Sequence, residues 1–371
     1  MRSKLAAGAL VAVTALLAPV ASAAGKGKPL ELRFRGQAIV PPGSTFQATT
    51  IGGLSSITYD RRRDVFYTVS DDQGQLQPAR FYTVRLDVRD GRLAGGDVPF
   101  EDVTTLLAPD GQPYPPASLD PEGLALTKDR RLILTSEGLP ASLIDPFVRR
   151  YSLDGSFRGS LPVPAPFLVT ADQSSGVRPN LGFESAGVTP NGRHAFSGTE
   201  NALYQDGPPA TLAAGSPARI MRYDLKRGRL HGEWVYRTDP VAEPPEPAGS
   251  FSVNGLVELL PLDDERLIAM ERSFSVGAPG TGNSIKLYEV DLRRATNVDG
   301  LDSLHGGLDR IRPARKTLLL DLDELGIPLD NVEGLTFGPR LRGGRRSVVL
   351  VSDDNFAASQ FTQFLLFALG R

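Results

Sequence analysis

The sequence predicts an all-β fold, a β-propeller with five visible repeats, and three observations carry that reading. First, one motif recurs: a carboxylate beside a short apolar strand, a polar turn, and a second apolar strand running into acid. Its clearest copy is Asp120-Pro121-Glu122-Gly123-Leu124 followed by Leu132-Ile133-Leu134-Thr135-Ser136-Glu137-Gly138. Second, Gly53, Gly123, Gly187, Gly255 and Gly334 mark equivalent points, spaced 70, 64, 68 and 79 residues apart. That spacing holds the three or four strands of a propeller blade rather than a solenoid coil. Third, short β-rich runs are separated by Asp-Gly and Asn-Gly turns, the mark of antiparallel meanders.

The chain opens on residues 1–23, which read as a signal peptide. Arg2 and Lys4 give a positive start, residues 5–20 an apolar stretch, and Ala21-Ser22-Ala23 a small-residue cleavage site. The stretch is too short and too rich in Ala and Gly for a good membrane span. Residues 24–371 read as one exported domain, periplasmic or secreted. Residues 30–40 form a strand ended by Pro41-Pro42-Gly43. The first repeat places strands at 54–59, 65–70 and 81–88. The second places them at 123–127, 131–136, 148–153 and 160–163, and the third at 185–189, 194–198, 220–225 and 232–237. The fourth has 256–261, 266–270 and 285–292, and the fifth 334–338, 347–352 and 361–369. Because the fifth ends after three strands, residues 30–40 are expected to pair with 361–369, closing the ring and removing its exposed edges. A sixth blade hidden in the insertions stays open. Residues 302–326 read as partly helical.

Composition narrows the chemistry. Of 371 residues, 40% are apolar and 23% charged, enough for a core and unlike a disordered chain. The absence of cysteine excludes disulfides and thiolate ligation. His194, His231 and His305 are too scattered for a zinc site. The net charge of −2, which becomes −4 without Arg2 and Lys4, offers nothing to nucleic acid. A monomer acting on a small molecule is expected. Ser136 has no G-x-S-x-G around it, and Gly277 to Gly282 lack the Lys-Ser/Thr of a phosphate loop.

The acids are in phase with the repeats. Glu122, Glu184, Glu258 and Glu333 flank first strands; Asp71, Asp72, Glu137, Glu200, Glu271, Asp353 and Asp354 end second strands. In a propeller the inner strands line the central channel, so these groups should converge at one mouth. Long Pro-, Gly- and Ser-rich loops at 108–118, 139–145, 164–179, 205–217 and 274–283 crowd the same face. Like charges at close range resist joint ionisation, so protons, basic side chains or hard cations must neutralise them. An oxygen-only set suits Ca²⁺ or Mg²⁺. Arg80, Arg178, Arg219, Arg272 and Lys286 also recur near these motifs. They read either as ion pairs fixing strand ends or as a clamp for an anionic ester.

Gly52-Gly53-Leu54-Ser55, Arg178-Pro179-Asn180-Leu181-Gly182-Phe183-Glu184, Met270-Glu271-Arg272, Asn331-Val332-Glu333-Gly334 and Val351-Ser352-Asp353-Asp354-Asn355-Phe356 resemble the esterase-like-activity-of-phytase family. The resemblance spans roughly residues 52–369. It implies a propeller with phytase-like character, and the β-propeller phytases use Ca²⁺ to cleave phosphate monoesters. The expected function is therefore metal-assisted hydrolysis of phosphate monoesters at an acidic channel mouth. Glu122, Glu184 and Glu333 would be catalytic, and Asp71, Asp72, Glu122, Glu137, Glu184, Glu200, Glu271, Glu333 and Asp353 would bind metal. Arg80, Arg178, Arg219, Arg272 and Lys286 would bind substrate. The alternatives are a carboxylic-ester or lactone hydrolase on the same scaffold, and a non-catalytic binding propeller.

Overall fold

The computed structural model describes residues 30–370; the signal-peptide reading lies outside them. Five four-stranded antiparallel sheets stand in a ring, so the repeats are blades and the blade number is five. The first blade is Leu54–Asp60, Val65–Ser70, Arg80–Val84 and Phe100–Thr105 from axis to rim. The second is Pro121–Leu126, Arg131–Ser136, Phe147–Ser152 and Phe157–Leu161. The third is Gly187–Val188, His194–Gly198, Pro217–Asp224 and Arg229–Arg237. The fourth is Ser252–Pro261, Arg266–Ser275, Asn283–Asp291 and Arg315–Asp321.

The fifth blade closes the ring as expected. Its strands Asn331–Arg340, Arg346–Asp353 and Thr362–Gly370 are completed by Glu31–Val40, which pairs with the last strand from Glu31 opposite Gly370 to Val40 opposite Thr362. Two rim strands differ from expectation. Phe100–Thr105 carries little apolar signal because only its inner edge pairs, and Arg315–Asp321 is a strand where a partly helical segment is expected. Only the 3-10 turn Leu322–Leu325 follows it. The core fills the gaps between neighbouring blades. Val257, Ile268 and Met270 of the fourth blade pack with Val332, Leu335 and Val348 of the fifth, for example.

Glycine is required where inner strands nearly touch. A Cβ on Gly123 would lie 2.5 Å from the Ala186 nitrogen, and one on Gly334 would lie 3.0 Å from the Ser56 Cα. The repeated glycines thus set the ring's tight radius. A bulge sits beside this point in four blades, between Leu54 and Ser56, Pro121 and Leu124, Leu256 and Glu258, and Val332 and Gly334. Bulges break the two-residue alternation and re-aim the side chains they carry, here Glu122 and Glu333. Among the described residues no helix is long and apolar enough to cross a membrane.

Candidate functional site

All five inner strands run the same way, so their first residues and the last residues of the second strands meet at one mouth of the channel. A cavity of about 1170 Å³ opens there. Its wall carries Asp71, Asp120, Glu122, Glu137, Glu184, Glu200, Glu333 and Asp353, and Arg272 is the only guanidinium among the described lining residues. Ligand oxygens of Asp120, Glu122 and Glu137 lie within 4.8 Å of one another, as do those of Glu137, Glu184 and Glu200. Glu137 belongs to both groups.

Backbone contacts hold this geometry. The Ser136 hydroxyl accepts the Asp120 N–H at 3.0 Å, the Glu137 N–H donates to the Asp120 carbonyl at 3.0 Å, and the Gly182 N–H donates to Glu137 Oε1 at 2.7 Å. On the far wall, Asn331 donates to Asp353 Oδ2 at 3.1 Å. Arg272 Nη2 donates to Glu333 Oε1 at 2.8 Å and lies 3.6 Å from Glu200 Oε1.

One guanidinium cannot balance this wall. Burial first, and then neighbouring carboxylates, push Asp71, Glu122, Glu137, Glu184 and Asp353 well above the ordinary carboxyl range. Burial raises Asp120 to about 6. It raises Glu200 to about 7 against the pull of Arg272. Asp71 Oδ1 and Glu200 Oε1 are buried without a hydrogen-bond partner. Two orphaned oxygens in an all-oxygen donor set fit a hard divalent cation, Ca²⁺ or Mg²⁺.

A family model for phytase-like proteins, described as esterase-like activity of phytase, matches residues 49–356. This chain belongs to that family. The match takes in every cavity acid of the phytase-like propeller. No curated protein matches the sequence. Solved structures similar to this chain include an endo-arabinase from Bacteroides thetaiotaomicron, at 12% identity, 90% of this chain, 97% of that one and a TM-score of 0.45. A thermostable family-43 glycoside hydrolase is 10% identical over 88% of this chain and 92% of that one, TM-score 0.46. A periplasmic gluconolactonase of Pseudomonas aeruginosa is 15% identical over 86% of each chain, TM-score 0.34.

Several expected site residues of the phytase-like propeller stand outside the cluster of unpaired acids. Asp72 borders the cavity, but Arg80 Nη1 donates to it at 2.7 Å, the Gln75, Leu76 and Gln77 N–H groups cap it, and its pKa is lowered. Glu271 points away from the axis and accepts from Tyr236 at 2.6 Å, the Asp239 N–H at 2.7 Å and Lys316 at 2.5 Å. Glu258 lies three residues beyond Gly255, past the bulge, and sits deep in the channel. There it accepts from Ser56 at 2.7 Å and the Ala186 N–H at 3.1 Å, and burial raises it to about 8. Asp354 accepts the Gly53 N–H at 2.9 Å and braces the ring closure.

Of the five expected cations, only Arg272 lines the cavity. Arg80 is buried on Asp72, and Arg219 is buried between Asp206 at 2.6 Å and Glu233 at 2.6 Å. Arg178 donates to the Ala202 and Gly207 carbonyls and stacks on Tyr204; Lys286 faces Asp321 at 3.7 Å. These four stabilise loops and blades, where burying a charge demands a partner. Asp120 and Asn331, outside the expected site set, also line the cavity. Their shared signal is placement, each two residues before a site glutamate, Glu122 and Glu333.

Proposed function

We propose that this phytase-like propeller is an exported hydrolase that cleaves phosphate monoesters with Ca²⁺ or Mg²⁺ held in the acidic mouth. The observation that carries the reading is the convergence of nine carboxylates, of which Asp72 is held by Arg80, on one cavity beside a single guanidinium. Asp120, Glu122 and Glu137 would hold one cation, and Glu137, Glu184 and Glu200 a second. A bound divalent cation would offset charge on the ester oxygens and lower the pKa of an attacking water. Arg272, anchored on Glu333, would orient an ester oxygen by its remaining donors. Asp71 and Asp353 lie outside both triads, and burial and neighbouring carboxylates push both well above the ordinary carboxyl range. Either can protonate the departing alkoxide.

A second reading, a carboxylic-ester or lactone hydrolase, is favoured by the rim. Phe251 is 63% exposed and Leu76 55% exposed at the cavity edge, beside Phe274 and Phe356. Such a rim suits an apolar leaving group better than a densely charged inositol phosphate. The test is turnover of phytate, 4-nitrophenyl phosphate, 4-nitrophenyl acetate and a δ-lactone by the mature protein, with millimolar Ca²⁺ or Mg²⁺ and with EDTA. Cation-dependent phosphomonoester turnover is expected. Turnover confined to the acetate or lactone selects the second reading, and no turnover of any of the four overturns both.

A further inference from the structure

The inner strands end at the opposite mouth of the channel, and that mouth has the opposite charge. A cavity of about 940 Å³ opens there, floored by Ile57, Leu124, Leu126, Leu259, Leu335 and Phe337. Its rim carries Arg61, Arg62, Lys128, Arg130, Arg340 and Arg346, and Asp60 is the only carboxylate among the described lining residues. Asp60 is already engaged. It is buried, 2.9 Å from Arg130 Nη1, and also accepts the Arg62 N–H at 2.9 Å and the Tyr67 hydroxyl at 3.2 Å. None of the other five cations has a carboxylate within 4 Å among the described residues.

Most of these cations are exposed, and several are held by specific contacts. The Arg346 guanidinium lies 3.6 Å from the centre of the Phe337 ring. Its pKa is lowered by desolvation and then by the nearby charges of Arg340 and Arg61. Arg340 Nη1 donates to the Gly344 carbonyl at 2.6 Å, which holds that guanidinium at the rim. The stem of Lys128 runs over Gly192, where a Cβ would come within 2.5 Å of it. Glu258, buried and held by Ser56 and the Ala186 N–H, borders neither cavity, and the two cavities share no lining residue among those described. The basic cavity is therefore a compartment with its own lining.

We propose that the basic mouth is a second binding site, for a small organic anion with a phosphate, sulfonate or carboxylate head on an apolar body. The head is met by Arg61, Arg340 and Arg346 on the shared rim, whose planar forks match such oxyanions. The body covers the aliphatic floor around Leu335 and Phe337. A cavity of this size, with an apolar floor and convergent charges on its rim, has the form of a small-molecule site. Without a divalent cation the acidic mouth repels the same ligand, which is why the test is made in EDTA.

The experiment is calorimetric titration of the mature chain in EDTA with 2-naphthalenesulfonate, an anion that offers no ester to hydrolyse. Saturable 1:1 binding is expected, at least tenfold tighter than 2-naphthol or inorganic sulfate, and weakened by salt. Arg61→Ser combined with Arg346→Ser should weaken it at least tenfold, while Glu137→Gln at the other mouth leaves it unchanged. Should the double variant fail to fold, the naphthalenesulfonate-to-naphthol ratio on the parent protein still decides the matter. Equal binding of both, binding lost in Glu137→Gln instead, or binding only to anionic vesicles overturns the proposal.

Discussion

Asp71 and Asp72 are neighbours in sequence and opposites in structure. Asp71 faces the axis among other acids, has an orphaned oxygen, and is pushed up by burial and by Asp353. Asp72 faces the loop, is held by Arg80 and three backbone N–H groups, and is pulled down. The same division separates Glu271, neutralised by Lys316 and Tyr236, from Arg272, which enters the cavity. Successive residues at a strand end point to opposite sides. A run of charges there supplies one group to the axis and one to the scaffold. Unpaired acids at the axis form the candidate cation site; paired acids on the blades hold the ring.

The comparison is broken most sharply by exchanging one carboxylate from each class. Glu137→Gln removes the charge shared by both triads, and turnover should fall by at least about 100-fold with the fold intact by circular dichroism. Asp72→Asn should leave cation response and turnover within a few-fold. It should destabilise by roughly 3–5 kcal/mol in urea melts, because it strands the buried Arg80. If Asp72→Asn abolished turnover while Glu137→Gln did not, the division between the two classes would collapse.

Arg219→Met sharpens the scaffold side. It leaves Asp206 and Glu233 buried without their cation and should also cost about 3–5 kcal/mol, with the Ca²⁺-induced rise in Tm unchanged. A lost Ca²⁺ response would mean that Arg219 acts on the axis.

The pH dependence of Tm tests the axis as a whole. Without a divalent cation, the cavity carboxyls have folded-state pKa values raised above their unfolded values. The folded state therefore binds more protons than the unfolded chain, and stability falls as pH rises. In EDTA, Tm should drop between about pH 5 and 8, a window that contains Asp120 near 6 and Glu200 near 7. Ca²⁺ at 100 times Kd should restore about 2.7 kcal/mol and flatten the slope, since a cation replaces the protons. A Tm that rises with pH in EDTA would show that the acids are neutralised within the chain.

The smallest effect belongs to the rim. Phe251→Ala should lower kcat/KM for an aryl ester by a few-fold, leave phytate unaffected, and leave Tm within about 0.5 kcal/mol of the parent, because the ring is mostly exposed. Equal losses on aryl ester and phytate would remove the rim from substrate selection.

Much of this was legible in the chain. The spaced glycines, the recurring acids and the turn dipeptides determined a propeller of five repeats. The unfinished last repeat determined that the N-terminal strand would complete it. These are local signals, since periodicity and turn chemistry act within a few residues. The family followed from motifs such as Asn331-Val332-Glu333-Gly334. Tertiary structure alone decided which acids face the axis. A bulge beside Gly123, Gly255 and Gly334 shifts the alternation by one residue, sending Glu122 and Glu333 into the mouth and Glu258 deep into the channel. It alone also decided that Arg80, Arg178 and Arg219 serve the blades, because their partners Asp72, the Ala202 carbonyl and Asp206 are fixed only when loops fold back. The basic mouth gathers Arg61, Lys128, Arg340 and Arg346 from three blades, and no sequence window holds them together. Charge sign along a chain is local, whereas the field at a point is a sum over every strand that ends there.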